Sequence, residues 1–214
     1  MARKLPVYLL LDTSGSMSGE PIEQVKNGVQ MLISALRADP YALETVHVGV
    51  ITFDSSAKVV VPLTELTAFQ APNLAASGTT ALGEGLKLLA ECAAKDIVKT
   101  TATQKGDWKP MVFLMTDGGP TDDWMKGLAR FRMEKWGIVI ACAVDSADDK
   151  VLKSVAGEES VVRLNTANSG AMAAFFKWVT ASVSASSKSV ETAGKEVTGL
   201  DQLPPPPPEI QVVT

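Results

Sequence analysis

The chain has 214 residues, 46% of them hydrophobic, with 20 basic against 24 acidic side chains and a net charge of −4. That length and apolar fraction suit one domain with a sizeable core plus a tail, and the mild acidity, with no run of five basic residues, argues against a nucleic-acid surface. The longest apolar runs, at 7–11 and 137–144, fall far short of the ~20 residues a membrane-spanning helix needs, and two cysteines cannot build a disulfide framework or a zinc ligand set, so the default location is cytoplasmic.

In chain order, Val7 to Leu11 is an unbroken apolar run, the pattern of a central parallel strand covered on both faces. Arg3-Lys4 ahead of it imitates the start of a secretory signal, but the run ends in Asp12 without a small-residue cleavage site. Asp12, Ser14 and Ser16 then offer one carboxylate and two hydroxyls at alternate positions, at the strand end where open α/β sheets place their ligands. Such a set suits a hard divalent cation, and Gly15 is expected to turn the loop tightly enough to aim both hydroxyls inward. Pro21 suits a first helical turn, and Ile22, Val25, Val29, Leu32, Ile33 and Leu36 recur at helical spacing until Asp39-Pro40. Val46 to Phe53 reads as the next strand. Asp54-Ser55-Ser56 is too short for a parallel crossover, so Ala57 to Pro62 must pair antiparallel with it, and Pro62 places that strand at an edge.

Ser77 to Leu86 reads as a loop entering a helix that Leu82, Leu86, Leu89 and Cys92 continue, and residues 95–109 are polar and loop-like. Met111 to Thr116 is a strand delivering Asp117. Thr121 is expected to cap a helix whose first turn carries Asp122 and Asp123. Trp136 to Val144 reads as a buried strand, residues 150–155 as a short helix, Ser160 to Leu164 as a last strand, and Asn168 to Ser184 as a helix with Phe175, Phe176, Val179 and Val183 inward. Cys92 and Cys142 read as small core residues. The alternation implies a doubly wound α/β fold: a mostly parallel six-stranded sheet with one antiparallel edge strand and helices on both faces. The domain is expected to span 1–184 and a Ser/Lys-rich, then Pro-rich tail 185–214. Pro204 to Pro208 must be extended polyproline, either laid back on the domain or docking a partner. The apolar Ile210, Val212 and Val213 favour the first, and an SH3-type ligand would want a flanking Arg or Lys.

Asp12-Thr13-Ser14-Gly15-Ser16, Ser77-Gly78-Thr79-Thr80 and Thr116-Asp117-Gly118 occur in the order of the three segments of a metal-ion-dependent adhesion site, and the chain resembles the von Willebrand factor A domains that carry it. The resemblance implies a Rossmann-like fold in which Asp12, Ser14, Ser16, Thr80 and Asp117 hold Mg²⁺, with Mn²⁺ or Ca²⁺ as substitutes. In the family Ser14, Ser16 and Thr80 would ligate directly while the two aspartates act largely through water. The cation would then take a carboxylate from a protein partner, with Met17, Trp124 and Met125 as rim contacts. Within the family, Pro6 to Met17, Gly19-Glu20-Pro21-Ile22, Thr116 to Asp122 and the Leu203-Pro204 tail resemble small stand-alone bacterial proteins of the TerY type from tellurite-resistance gene clusters. That likeness implies a scaffold in a stress response beside a metal-dependent protein phosphatase and a Ser/Thr kinase, although two cysteines cannot form the zinc module of some relatives.

Enzyme chemistries fit the same residues less well. Aspartic proteases need a second equivalent aspartate to share a proton, and Asp117-Gly118-Gly119 does not repeat the first segment. An aspartyl-phosphate phosphatase would want an acid where Ser14 stands. A Ser-His-Asp hydrolase would need His47, which lies within a strand, and there is no phosphate-binding Gly-rich loop. A hydrolase that uses the cation to activate water on a phosphoester is the remaining alternative. Asp54, Asp122 and Asp123 read as turn and helix-cap groups.

Overall fold

A computed structural model of the protein describes residues 3–165 and 170–213. Its spine is β1 (Leu5–Asp12), in which all eight residues are buried. The side chains of β1 alternate between two cores as strand geometry requires. Leu5, Val7, Leu9 and Leu11 face one, with α1 (Glu20–Arg37) and α6 (Ala171–Ala193), while Tyr8 and Leu10 face the other, with α3 (Leu82–Asp96), α4 (Trp124–Phe131) and α5 (Asp149–Ala156).

The sheet adds β2 (Val46–Phe53), β3 (Ala57–Glu65), β4 (Met111–Thr116), β5 (Ile138–Val144), β6 (Val161–Leu164) and β7 (Gln211–Val212), in the order β3-β2-β1-β4-β5-β6-β7. β1 pairs in parallel with both β2 and β4. The chain therefore leaves β1 to one side and returns at β4 on the other, which opens a crevice at the carboxyl ends of these two strands. The expected antiparallel edge strand is β3.

Four details differ from expectation. The sheet has a seventh strand, because the tail returns and pairs antiparallel with β6, Val162 opposite Val212. Without it β6 would present an unpaired edge. α6 runs on to Ala193, so the boundary expected at 184/185 falls inside a helix. Ser182, Ser186 and Ser187 are buried there, Ser186 bonding back to the Ser182 carbonyl and Ser187 meeting Thr45, so a composition that reads as solvated is a small-residue packing face. Its expected start, Asn168, lies outside the described residues. Asp39-Pro40 does not simply stop α1. Asp39 accepts from the N–H groups of Tyr41 and Ala42 and caps a further short helix, α2 (Pro40–Thr45). Finally, α4 begins at Trp124 with no side-chain cap from Thr121. Among the described residues no helix is long and apolar enough to cross a membrane.

Candidate metal centre

The two strands that border the crevice end in Asp12 and Thr116, and these two meet: the Thr116 hydroxyl donates to Asp12 Oδ2. Asp12 Oδ1 accepts the Ser14 backbone N–H at 2.7 Å. With 1% of its surface exposed, Asp12 is held by hydrogen bonds and forms no ion pair among the described residues. Burial raises its pKa above the usual carboxylate range, only partly offset by the Ser14 and Thr116 hydrogen bonds. From β1 the chain enters a single turn of 3₁₀-helix, Gly15–Met17, which places Ser14 Oγ 3.1 Å from Ser16 Oγ. Ser16 Oγ donates at 2.8 Å to Oδ1 of Asp117, just past β4. A hydroxyl, a hydroxyl and a carboxylate thus form one chain beside the buried Asp12.

Thr80 reaches the same crevice by a different scaffold. Ser77 N–H bonds to the Thr13 carbonyl and Gly15 N–H to the Gly78 carbonyl, which ties the second segment to the first. A Cβ at Gly15 would stand 3.3 Å from the Gly78 oxygen. The left-handed residue that makes the turn is Gly78, with φ of 75°, and not Gly15. Thr80 N–H donates to the Thr121 hydroxyl at 3.0 Å, while Thr121 N–H donates back to the Thr80 carbonyl at 2.8 Å. Asp122 then caps α3, its two carboxylate oxygens accepting the Gly83 and Glu84 N–H groups at 3.0 Å each. Thr121 and Asp122 therefore serve the helix behind Thr80 and not their own. The closeness this needs comes from Gly83 and Gly127, where α3 and α4 touch backbone to backbone. A Cβ at Gly127 would lie 2.0 Å from the Gly83 oxygen. On the far side Ser146, in the loop after β5, donates to the Asp117 carbonyl.

Thr116, Thr121, Asp122 and Ser146 are contributors that the sequence alone did not single out for the site. The rim expectation needs correction at Met17, which is fully buried because the 3₁₀ turn points it into the α1 core. Trp124 is half-buried against the other core, and Met125 is 66% exposed. Asp54 behaves as a turn group, capping Ser56 N–H. His47 pairs with Pro6 at the opposite end of the sheet, six residues or roughly 20 Å from Asp12, so no catalytic triad assembles in the crevice.

The donor set is chemically specific. Among the described residues no group of three or more His, Cys, Asp or Glu side chains could hold a metal. What converges here is two carboxylates with several hydroxyls, hard oxygen donors of the kind Mg²⁺ and Ca²⁺ take. A buried acid with no basic partner is also what a cation would offset.

An uncharacterized protein of Synechocystis sp., sll0103, is 38% identical over 123 residues, covering 54% of this chain and 26% of that one. Among solved structures, a von Willebrand factor type A protein from Catenulispora acidiphila superposes with a TM-score of 0.64 at 18% identity, over 86% of this chain and 43% of the other. The pilus adhesin SpaC of Lactobacillus rhamnosus GG, in its open conformation, gives 0.68 at 16%, over 86% and 30%. Proximal thread matrix protein 1 of the mussel byssus, with a zinc-occupied MIDAS motif, gives 0.57 at 20%, over 84% and 46%. The chain spans less than half of each of these proteins, and the three structures share its fold. The sequence profile of the von Willebrand factor type A domain matches residues 7–177, and the chain belongs to that family.

Proposed function

We propose that Asp12, Ser14, Ser16, Thr80 and Asp117 hold a divalent cation, Mg²⁺ with Mn²⁺ or Ca²⁺ as substitutes, and that the protein uses it to capture a partner through an acidic side chain. The observation that carries this reading is the Ser14–Ser16–Asp117 hydrogen-bonded chain lying beside a buried Asp12 that no basic side chain among the described residues neutralises. The mussel relative's occupied motif supports a divalent ion.

Ser14, Ser16 and Thr80 are the direct ligands in this reading, and Asp12 and Asp117 orient them, as Asp117 already does for Ser16. Bound among neutral hydroxyls, the cation would supply a Lewis acid with charge to spare for one further anionic oxygen. Exposed Met125, with half-buried Trp124 beside it, lies on the α4 rim where a partner's apolar groups would pack. The finer setting follows from the sequence likeness. The protein is a TerY-type scaffold of a bacterial tellurite or stress response, working in the cytoplasm beside a metal-dependent protein phosphatase and a Ser/Thr kinase.

The test is affinity capture from native bacterial lysate in Mg²⁺ and in chelator, with wild type and Ser14→Ala. A phosphatase or kinase that elutes only in Mg²⁺ and is lost with Ser14→Ala is the expected outcome. Capture that survives both chelator and the substitution would rule out the ion as the docking bond.

A further inference from the structure

Tyr8 is 1% exposed, yet among the described residues its phenol oxygen meets no partner in a well-formed hydrogen bond, the Asp96 carboxylate being a neighbour that it does not fully engage. A buried hydroxyl left unpaired is costly and calls for a reason. The sequence makes room for this ring deliberately. Tyr8 lies opposite Gly49 in β2, and a Cβ at Gly49 would stand 2.9 Å from ring atoms Cδ1 and Cε1, so the ring crosses the strand where a side chain would otherwise be. It reaches towards β3, whose pairing with β2 shifts register twice, between Val48 and Val50 and again between Val50 and Ile51.

Bulges bend a strand out of line with its partner. Here a cavity of about 270 Å³ opens between β2, β3 and the last turns of α3, its wall including Ile51, Val61, Leu63 and Cys92. That is near the lower end of the sizes small-molecule sites take. Lys95 lies at its margin, and two further groups break its apolar lining. One is the Tyr8 phenol, which burial and then the neighbouring Asp96 and Cys92 keep protonated by raising its pKa, so it is a donor. The other is the Asp96 carboxylate, an acceptor on the same wall.

We propose that this cavity is a binding site for a small, mainly apolar molecule bearing one hydroxyl, which accepts a hydrogen bond from Tyr8 and donates one to Asp96. A hydrocarbon guest would leave the phenol without an acceptor, and a carboxylate guest would set the attraction of Lys95 against the repulsion of Asp96. The hydroxyl satisfies both groups at once. The site sits on the β3 flank of the sheet, away from Asp12, and its occupancy does not require the cation.

Benzyl alcohol and toluene share a ring and differ by the hydroxyl, so the pair isolates the polar contact. Titrated into the full chain and followed by ¹H–¹⁵N NMR, both should give saturable shifts at Tyr8, Ile51, Leu63 and Asp96, with benzyl alcohol tighter by roughly tenfold. Tyr8→Phe removes only the unpaired oxygen and leaves the fold intact. It should abolish the preference while toluene binding persists. Absence of saturable shifts with either compound would overturn the site, and equal affinities in wild type, or a preference that survives Tyr8→Phe, would overturn the assignment of its polar end.

Discussion

Asp12 is buried without a basic neighbour among the described residues, and its carboxyl titrates above the usual range because burial disfavours the charged form. With the folded pKa raised, this group stabilises the cation-free fold fully only below its unfolded value, near 3.9, and loses that contribution as pH rises through the folded pKa. Above that pKa the ionised carboxylate is a cost, which the proposed cation would offset. Asp12→Asn keeps the acceptor for Ser14 N–H and lets Thr116 act as acceptor. It should raise the melting temperature in chelator at pH 7 and abolish the further rise that Mg²⁺ gives wild type by mass action. A variant less stable than wild type in chelator would show that the carboxylate is satisfied without metal. The placement of Asp12, Ser14, Ser16, Thr80 and Asp117 at the crevice was readable in sequence because each sits in a short string ending a strand or entering a helix. The roles of Thr116, Thr121 and Asp122 were not, since they depend on which strand ends and helices face one another. Thr121 and Asp122 look like a cap for the helix that follows, and only the packing of α4 on α3 turns them towards Thr80 and Gly83.

At the level of elements, that packing rests on Gly83 and Gly127. A methyl at position 127 would meet the Gly83 carbonyl at 2.0 Å, so the helices must part or their ends rotate. Gly127→Ala should cost about 1–3 kcal/mol of unfolding free energy in urea and weaken Mg²⁺ binding as well, because Thr80 and the Asp122 cap of α3 move together. Gly119→Ala, in the site loop but with nothing within 4 Å of its Cβ, should stay within about 0.5 kcal/mol of wild type. Equal losses in both would detach the helix contact from the site. The strands and the long helices α1 and α3 were legible from periodicity, which reports burial directly. α2 was missed because six residues hold too little pattern beside a Pro. α6 was cut short because Ser182, Ser186 and Ser187 are polar by name while their smallness is what brings the helix up to Thr45.

Across the whole molecule, the tail closes the sheet. Trp178 Nε1 donates at 2.7 Å to the Pro204 carbonyl, Leu203 and Ile210 are buried, and Val213 N–H reaches the Val161 carbonyl at 2.9 Å. The apolar end of the tail forecast that it would fold back, but no sequence pattern marks a two-residue strand. Its partner is chosen by the unpaired edge of β6 and by where five prolines let the chain arrive. Those prolines restrict the unfolded tail, so less conformational entropy is lost when it docks. Truncation after Gly199 should lower stability by about 1–3 kcal/mol and speed amide exchange in β6 while β1 stays protected, since local opening follows local contacts. The exposed edge should also make the shortened chain associate as concentration rises, because a bare strand templates pairing with another chain. Trp178→Phe, which removes one hydrogen bond and part of a buried ring but keeps the edge covered, should lose about 1–3 kcal/mol without association. If truncation changed neither β6 exchange nor association, the edge of the sheet would be protected by β6 itself and the tail would be a passenger on the domain.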